Sequence, residues 1–270
     1  MRTAALSTLG LSVFSVTLSL ASGVAAKPAS AKADAGKAVP WCSPEVSELS
    51  DHTCWFDGGV PADGRRTLVV YLHGAYAATP GFQHLQQKAL AIQAKHHSFT
   101  LLLPTAPRTP NGYLWPGSQV KQEEHEQAIL EGIARSKAEL ERKQGKRFDE
   151  TFVVGFSSGA YYASSLAVRS AIDVDGFIVL AGGSSWVRPA AGSNAKRAPV
   201  FVGVSAADKQ TASHSRAFGG TLAALGWPRR VEERDVGHLV DWGFMARGIS
   251  WLRSVSPYKP AVKTAALTIE

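Results

Sequence analysis

Five short, nearly continuous apolar runs punctuate the chain: 67–72 (TLVVYL), 99–103, 151–154, 177–180 and 200–204. Runs of this length with no polar alternation are expected of parallel strands covered on both faces. Between them the apolar positions recur at helical spacing. Residues 82–96 carry Leu85, Ala89 and Ile92 on one face. Residues 121–143 predict a long helix with Ile129, Leu130, Ile133 and Leu140 inward, and with Glu131 and Arg135 as a solvated i, i+4 pair on its outer side. Residues 160–169 read as a helix of small side chains, and 213–225 as a helix stopped at Gly226-Trp227-Pro228. Residues 230–234 alternate like an exposed edge strand, and 241–253 close as a helix. Strands alternating with helices over this length predict a single α/β domain, a mostly parallel central sheet with helices on both faces, over residues 41–256.

The ends break this pattern. Met1-Arg2 is a positive start, residues 4–20 are mostly apolar, and Val24-Ala25-Ala26 is a small-residue cleavage pattern. Residues 1–26 therefore read as an export signal rather than a membrane-spanning helix, which needs a longer unbroken apolar run. No cysteine adjoins the cut, so a lipid-modified N-terminus is not expected. Residues 27–40, rich in Ala, Lys and Pro, predict a disordered spacer, and 257–270 a surface tail. In a periplasmic or extracellular setting, Cys42 and Cys54 are expected to form one disulfide closing a short loop.

Composition narrows the function classes. With 45% hydrophobic and 19% charged residues among 270, the chain can fill a core. Two cysteines are too few for a disulfide scaffold or a four-thiolate zinc site. The formal charge of +7 comes without an arginine-rich run or a basic stripe interleaved with aromatics, so no nucleic-acid partner is expected. The metal motif H-E-x-x-H, a phosphate loop and a dinucleotide fingerprint are absent from the sequence, and no cofactor is expected.

The sharpest motif is Gly155-Phe156-Ser157-Ser158-Gly159, G-x-S-x-G directly after a predicted strand and before a predicted helix. Such a turn exposes the Ser157 hydroxyl, and side chains at Gly155 and Gly159 would collide with the neighbouring strand and helix. Ser158 as nucleophile is the weaker alternative. A serine hydroxyl needs a base. Of eight histidines, His238 lies at a sheet end between the last strand and the last helix. His84, His96, His97, His125 and His214 read as surface residues, and His52 lies beside the cysteine loop. Asp208, at the end of the fifth apolar run, is the expected carboxylate partner, with Asp235 and Asp241 as fallbacks. His73-Gly74-Ala75 follows the first run, so the amides of Ala75 and Ser158 can form an oxyanion hole, with His73 structural.

These segments resemble the α/β-hydrolase superfamily: LVVYLHGAY (68–76), LLLPTAPR (101–108), VVGFSSGAYYAS (153–164), VFVGVSAADK (200–209) and DVGHLVDW (235–242). The chain is most similar to the compact carboxylesterase/phospholipase group that includes acyl-protein thioesterases, and to secreted polyhydroxyalkanoate-depolymerase and feruloyl-esterase enzymes. The resemblance implies a serine hydrolase acting through an acyl-enzyme. Ser158 stands where the thioesterases usually carry Gln, and Pro116-Gly117 follows Trp115, both pointing away from an acyl-protein substrate.

Residues 182–198 are too few for a lid domain, which predicts an open site for a small-molecule or polymeric ester. Tyr76, Trp115 and Trp186 are expected to line it, whereas Tyr161 fits packing equally well. A peptidase or thioesterase with the same triad, and a catalytically silent binding protein, are the rival readings.

Overall fold

A computed structural model describes residues 39–189 and 197–256. The predicted leader, all but the last two residues of the spacer, and the C-terminal tail lie outside the described residues. In chain order the elements are β1 (Ser47–Glu48), β2 (Cys54–Asp57), β3 (Thr67–Leu72), α1 (His84–His97), β4 (Thr100–Leu103), β5 (Arg108–Thr109) and β6 (Gly112–Tyr113). They continue with α2 (Gln119–Gln144), β7 (Glu150–Phe156), α3 (Ser158–Arg169), β8 (Gly176–Leu180), β9 (Val200–Ser205), α4 (Ala212–Ala224), β10 (Arg229–Arg234) and α5 (Trp242–Val255).

Eight strands form one sheet in the order β1-β2-β4-β3-β7-β8-β9-β10, and β5 and β6 make a separate hairpin. From β4 to β10 all neighbours in this order are parallel. β2 runs antiparallel to β4, and β1 to β2. Every residue of β3, β4, β7, β8 and β9 is buried, as the continuous apolar runs require. Successive side chains point to opposite faces. Leu68, Val70 and Leu72 therefore pack with Ile133 and Leu140 of α2, Tyr162 and Leu166 of α3, and Phe218 of α4. Val69 and Tyr71 pack on the other face with Leu90 of α1 and Phe244, Ile249 and Leu252 of α5.

One predicted face is wrong. α1 buries Gln87, Leu90, Ala91 and Ala94, whereas Leu85 is 82% and Ile92 57% exposed. The inward face is chosen by Gln87, a residue that hydropathy places outside. Its side chain accepts from the Ser43 amide at 2.7 Å and donates to the Trp41 carbonyl at 3.1 Å, docking the N-terminal segment onto the helix. The Cys42–Cys54 disulfide ties the same segment to β2. β1, β2 and the β5–β6 hairpin were not legible in the hydrophobic pattern.

Among the described residues no large cap interrupts the fold; residues 181–199 join β8 to β9, of which 190–196 lie outside the described residues. Among the described residues no helix is long and apolar enough to cross a membrane.

Candidate active site

Ser157 sits at the sharp reversal between β7 and α3, with φ 51° and ψ −115°. That conformation is rare for a residue with a side chain and costs on the order of 1–3 kcal/mol. The flanking glycines make the turn possible. A Cβ on Gly155 would stand 2.3 Å from the Gly159 carbonyl oxygen, and one on Gly159 would stand 2.0 Å from that of Leu72. The Ser157 amide is anchored on the Leu180 carbonyl at 3.0 Å.

His238, in the turn between β10 and α5, lies over the ring of Phe156 with centroids 5.1 Å apart. Its Nε2 is 3.0 Å from Ser157 Oγ and its Nδ1 is 2.6 Å from Asp208 Oδ2. A carboxylate can only accept, so Nδ1 carries the proton toward Asp208 and Nε2 faces the serine hydroxyl as acceptor. Asp208 is 4% exposed and lies in the turn between β9 and α4, accepting from the Gln210 and Thr211 amides at 3.0 and 3.3 Å and from the Thr211 hydroxyl. Burial pushes its pKa up, but the bonds from Thr211, His238 and Gln210 outweigh that and hold it at about 2. The fallback carboxylates are placed elsewhere. Asp241 caps α5 by accepting from the Phe244 amide at 2.7 Å and pairs with Arg234 at 2.9 Å. Asp235 is exposed.

The loop after β3 passes beside the serine: a Cβ on Gly74 would lie 3.4 Å from Ser157 Cβ. Ala75 is exposed at its turn, and Ser158 opens α3. Both amides lie at the ends of segments that converge on Ser157, and the helix N-terminus adds a positive dipole end. His73 braces this loop. Its Nδ1 bonds the Gly74 carbonyl at 2.5 Å, and its Nε2 accepts from the Ala106 amide at 3.1 Å. Burial pushes its pKa down to about 4, the Gly74 bond offsetting only part, so the ring is neutral.

The expected pocket aromatics divide. Trp115 is 1% exposed, stacked on Tyr162, with its indole N–H on the His73 carbonyl. Tyr76 is also buried, stacked on His73 at 4.2 Å with its hydroxyl on Gln86. Both aromatics are buried with their polar atoms hydrogen-bonded inside the protein, and they pack against His73 behind the loop. Trp186 alone of the three is open, at 55% exposure, stacked on Tyr161. Sequence reasoning missed two contacts. The Ser158 hydroxyl accepts from the Trp115 amide at 3.1 Å, and Thr211 holds Asp208; only the D-x-x-T spacing hinted at the second. Among the described residues no cluster of three or more His, Cys, Asp or Glu could hold a metal ion.

The sequence matches no protein-family model and no curated protein. Solved structures do match. A carboxylesterase from Mesorhizobium loti aligns over 77% of this chain and 99% of its own, at 18% identity and a TM-score of 0.56. The fold is that of the α/β hydrolases. SOBER1 from Arabidopsis thaliana aligns over 70% of this chain and 98% of its own, at 15% identity and TM-score 0.52. A carboxylesterase from Bacillus cereus aligns over 75% and 93%, at 15% identity and TM-score 0.51. At these identities the likeness is one of α/β-hydrolase architecture.

Proposed function

We propose that the chain is an exported serine hydrolase that cleaves carboxylic esters without a cofactor. One observation carries the reading: His238 bridges Ser157 and Asp208 through its two ring nitrogens, at 3.0 and 2.6 Å. In such a relay Ser157 Oγ attacks the acyl carbon as its proton passes to His238 Nε2. The oxygen that gains negative charge is held by the Ala75 and Ser158 amides. As the tetrahedral adduct collapses, His238 gives the proton to the departing alcohol, leaving an acyl group on Ser157. Water then attacks that ester, again losing its proton to His238. The carboxylic acid leaves and the Ser157 hydroxyl is restored. Asp208 stays ionised throughout, holding the imidazole in its tautomer and stabilising the imidazolium.

Support for an ester comes from the architecture, shared with structures described as carboxylesterases. The leader-like residues 1–26 and the Cys42–Cys54 disulfide favour export. The test is hydrolysis of p-nitrophenyl esters, from acetate to dodecanoate, by the chain from Lys27 onward beside Ser157→Ala. The reading expects turnover that falls by several orders of magnitude in the variant. Equal turnover in both, or none in the folded parent, contradicts it.

A further inference from the structure

Beside Ser157 stands a small aromatic structure that the relay does not use. Tyr161 lies one helical turn past the serine, its amide on the Ser157 carbonyl at 3.2 Å. Its ring edge faces Gly182, where a Cβ would meet Tyr161 Cε2 at 3.3 Å and the Ser157 carbonyl at 3.1 Å. Its hydroxyl is fixed on His214 Nδ1 at 2.5 Å, with His214 also edge-on to the ring. Trp186 stacks over it, 25° from parallel with centroids 5.9 Å apart, and presents its outer side to solvent. A tryptophan held open on a braced ring exposes apolar area at a cost that an internal packing role would not incur.

We infer that Trp186, braced by Tyr161 and His214, is a ledge that binds a flat aryl group of the ester, in its acyl or its alcohol part; the inference rests on Ser157 being the nucleophile. An aryl ring suits the ledge better than a polyhydroxylated one because polar groups beside it already have partners within the protein. The Ser184 hydroxyl donates to the Tyr161 carbonyl at 2.9 Å, and Arg188 donates to the Ser185 carbonyl at 3.0 Å. Trp186 also rims a cavity of about 520 Å³, where Arg169 is spent on Glu126. What the ledge offers is ring face, and aryl rings use it by offset stacking.

The experiment compares Trp186→Ala and Trp186→Phe with the parent on two matched pairs: 2-naphthyl acetate against butyl acetate, and ethyl 2-naphthoate against ethyl hexanoate. Dividing each variant by the parent cancels intrinsic ester reactivity. The ledge predicts that the aryl-to-aliphatic ratio of kcat/KM falls roughly five- to tenfold in Trp186→Ala, through KM, and is largely restored in Trp186→Phe. The pair that responds identifies the acyl or the alcohol part. An unchanged ratio in both pairs overturns the ledge while leaving the esterase reading intact. Calorimetric binding of both naphthyl esters to Ser157→Ala, with and without Trp186→Ala, separates the two in the other direction. Binding that depends on Trp186 in a protein that hydrolyses no ester keeps the ledge and removes the esterase. Binding indifferent to Trp186 removes the ledge.

Discussion

The indole N–H of Trp115 donates to the backbone carbonyl of His73 at 2.9 Å. The same carbonyl accepts the Gly159 amide at 3.1 Å, and the Trp115 amide in turn donates to the Ser158 hydroxyl. The loop bearing Ala75 and the helix start bearing Ser158 are thus sewn to each other through one buried tryptophan. An oxyanion site made of two amides from different segments works only if their spacing is fixed in advance.

Trp115→Phe removes the indole donor and replaces a buried bicyclic ring by a smaller one. Stability should fall by about 2–3 kcal/mol, from the lost hydrogen bond together with the cavity left in the core. Turnover should fall several-fold with KM nearly unchanged, less than the roughly hundredfold loss on deleting an oxyanion donor outright. Steady-state kinetics on p-nitrophenyl butanoate check this, and an unaltered kcat would mean that the His73 loop holds its position without the tryptophan.

Asp208 and Asp241 should separate cleanly. Asp208→Asn removes the charge facing His238 Nδ1 and should lower kcat at least about a hundredfold. Asp241→Asn weakens only the cap of α5 and the pair with Arg234, so it should cost about 1 kcal/mol or less in stability and retain turnover. Kinetics and denaturant midpoints on both variants make the comparison. A reversed pattern would reassign the acid.

His73 gives the fold a specific acid sensitivity. Its pKa is ordinarily 6.5 and burial lowers it to about 4 in the folded chain. Between those values the unfolded chain holds the proton and the folded chain does not, so stability falls as pH falls through the window. The contribution is complete above about pH 6.5 and costs about 3 kcal/mol by the lower end. Asp208, held at about 2, keeps its charge throughout and adds its own loss only below its ordinary 3.8. Urea midpoints at about pH 7.5 and about pH 4.5 should differ markedly in the parent and less in His73→Gln.

At the far end of the sheet, Glu150 is buried with its side chain 1% exposed, 3.3 Å from Arg65 and 3.1 Å from Arg253. Thr67 also donates to it at 2.6 Å. Glu150→Ala leaves two arginines beside an empty site and should cost about 3–5 kcal/mol. The residue begins the strand that ends at Phe156, about 20 Å from Ser157. Activity per folded molecule should therefore be retained, as chemical denaturation paired with active-site titration would measure.

The five inner strands were legible because a parallel strand buried on both faces leaves an uninterrupted apolar run. Ser157, Asp208 and His238 could be grouped from the sequence because each follows a strand, and the fold brings their side chains within hydrogen-bonding distance. What failed did so for physical reasons. Gln87 is buried because the Ser43 and Trp41 backbone groups satisfy it, and hydropathy has no term for a paired amide. The burial of Trp115 and Tyr76 was not legible, because it depends on the three-dimensional partners of their polar atoms. β2 has only the four residues CWFD, too few for a period to emerge.

Covalent capture distinguishes Ser157 as the nucleophile held by His238 from any other serine of the chain. The parent, Ser157→Ala and Ser158→Ala chains are treated with an alkyl phosphonofluoridate, which transfers its phosphonyl group to an activated serine with loss of fluoride. Intact mass and peptide mapping then locate the adduct. One adduct per chain is expected, on Ser157, present in the parent and in Ser158→Ala and absent from Ser157→Ala. An adduct that survives in Ser157→Ala, or maps to Ser158, would contradict it.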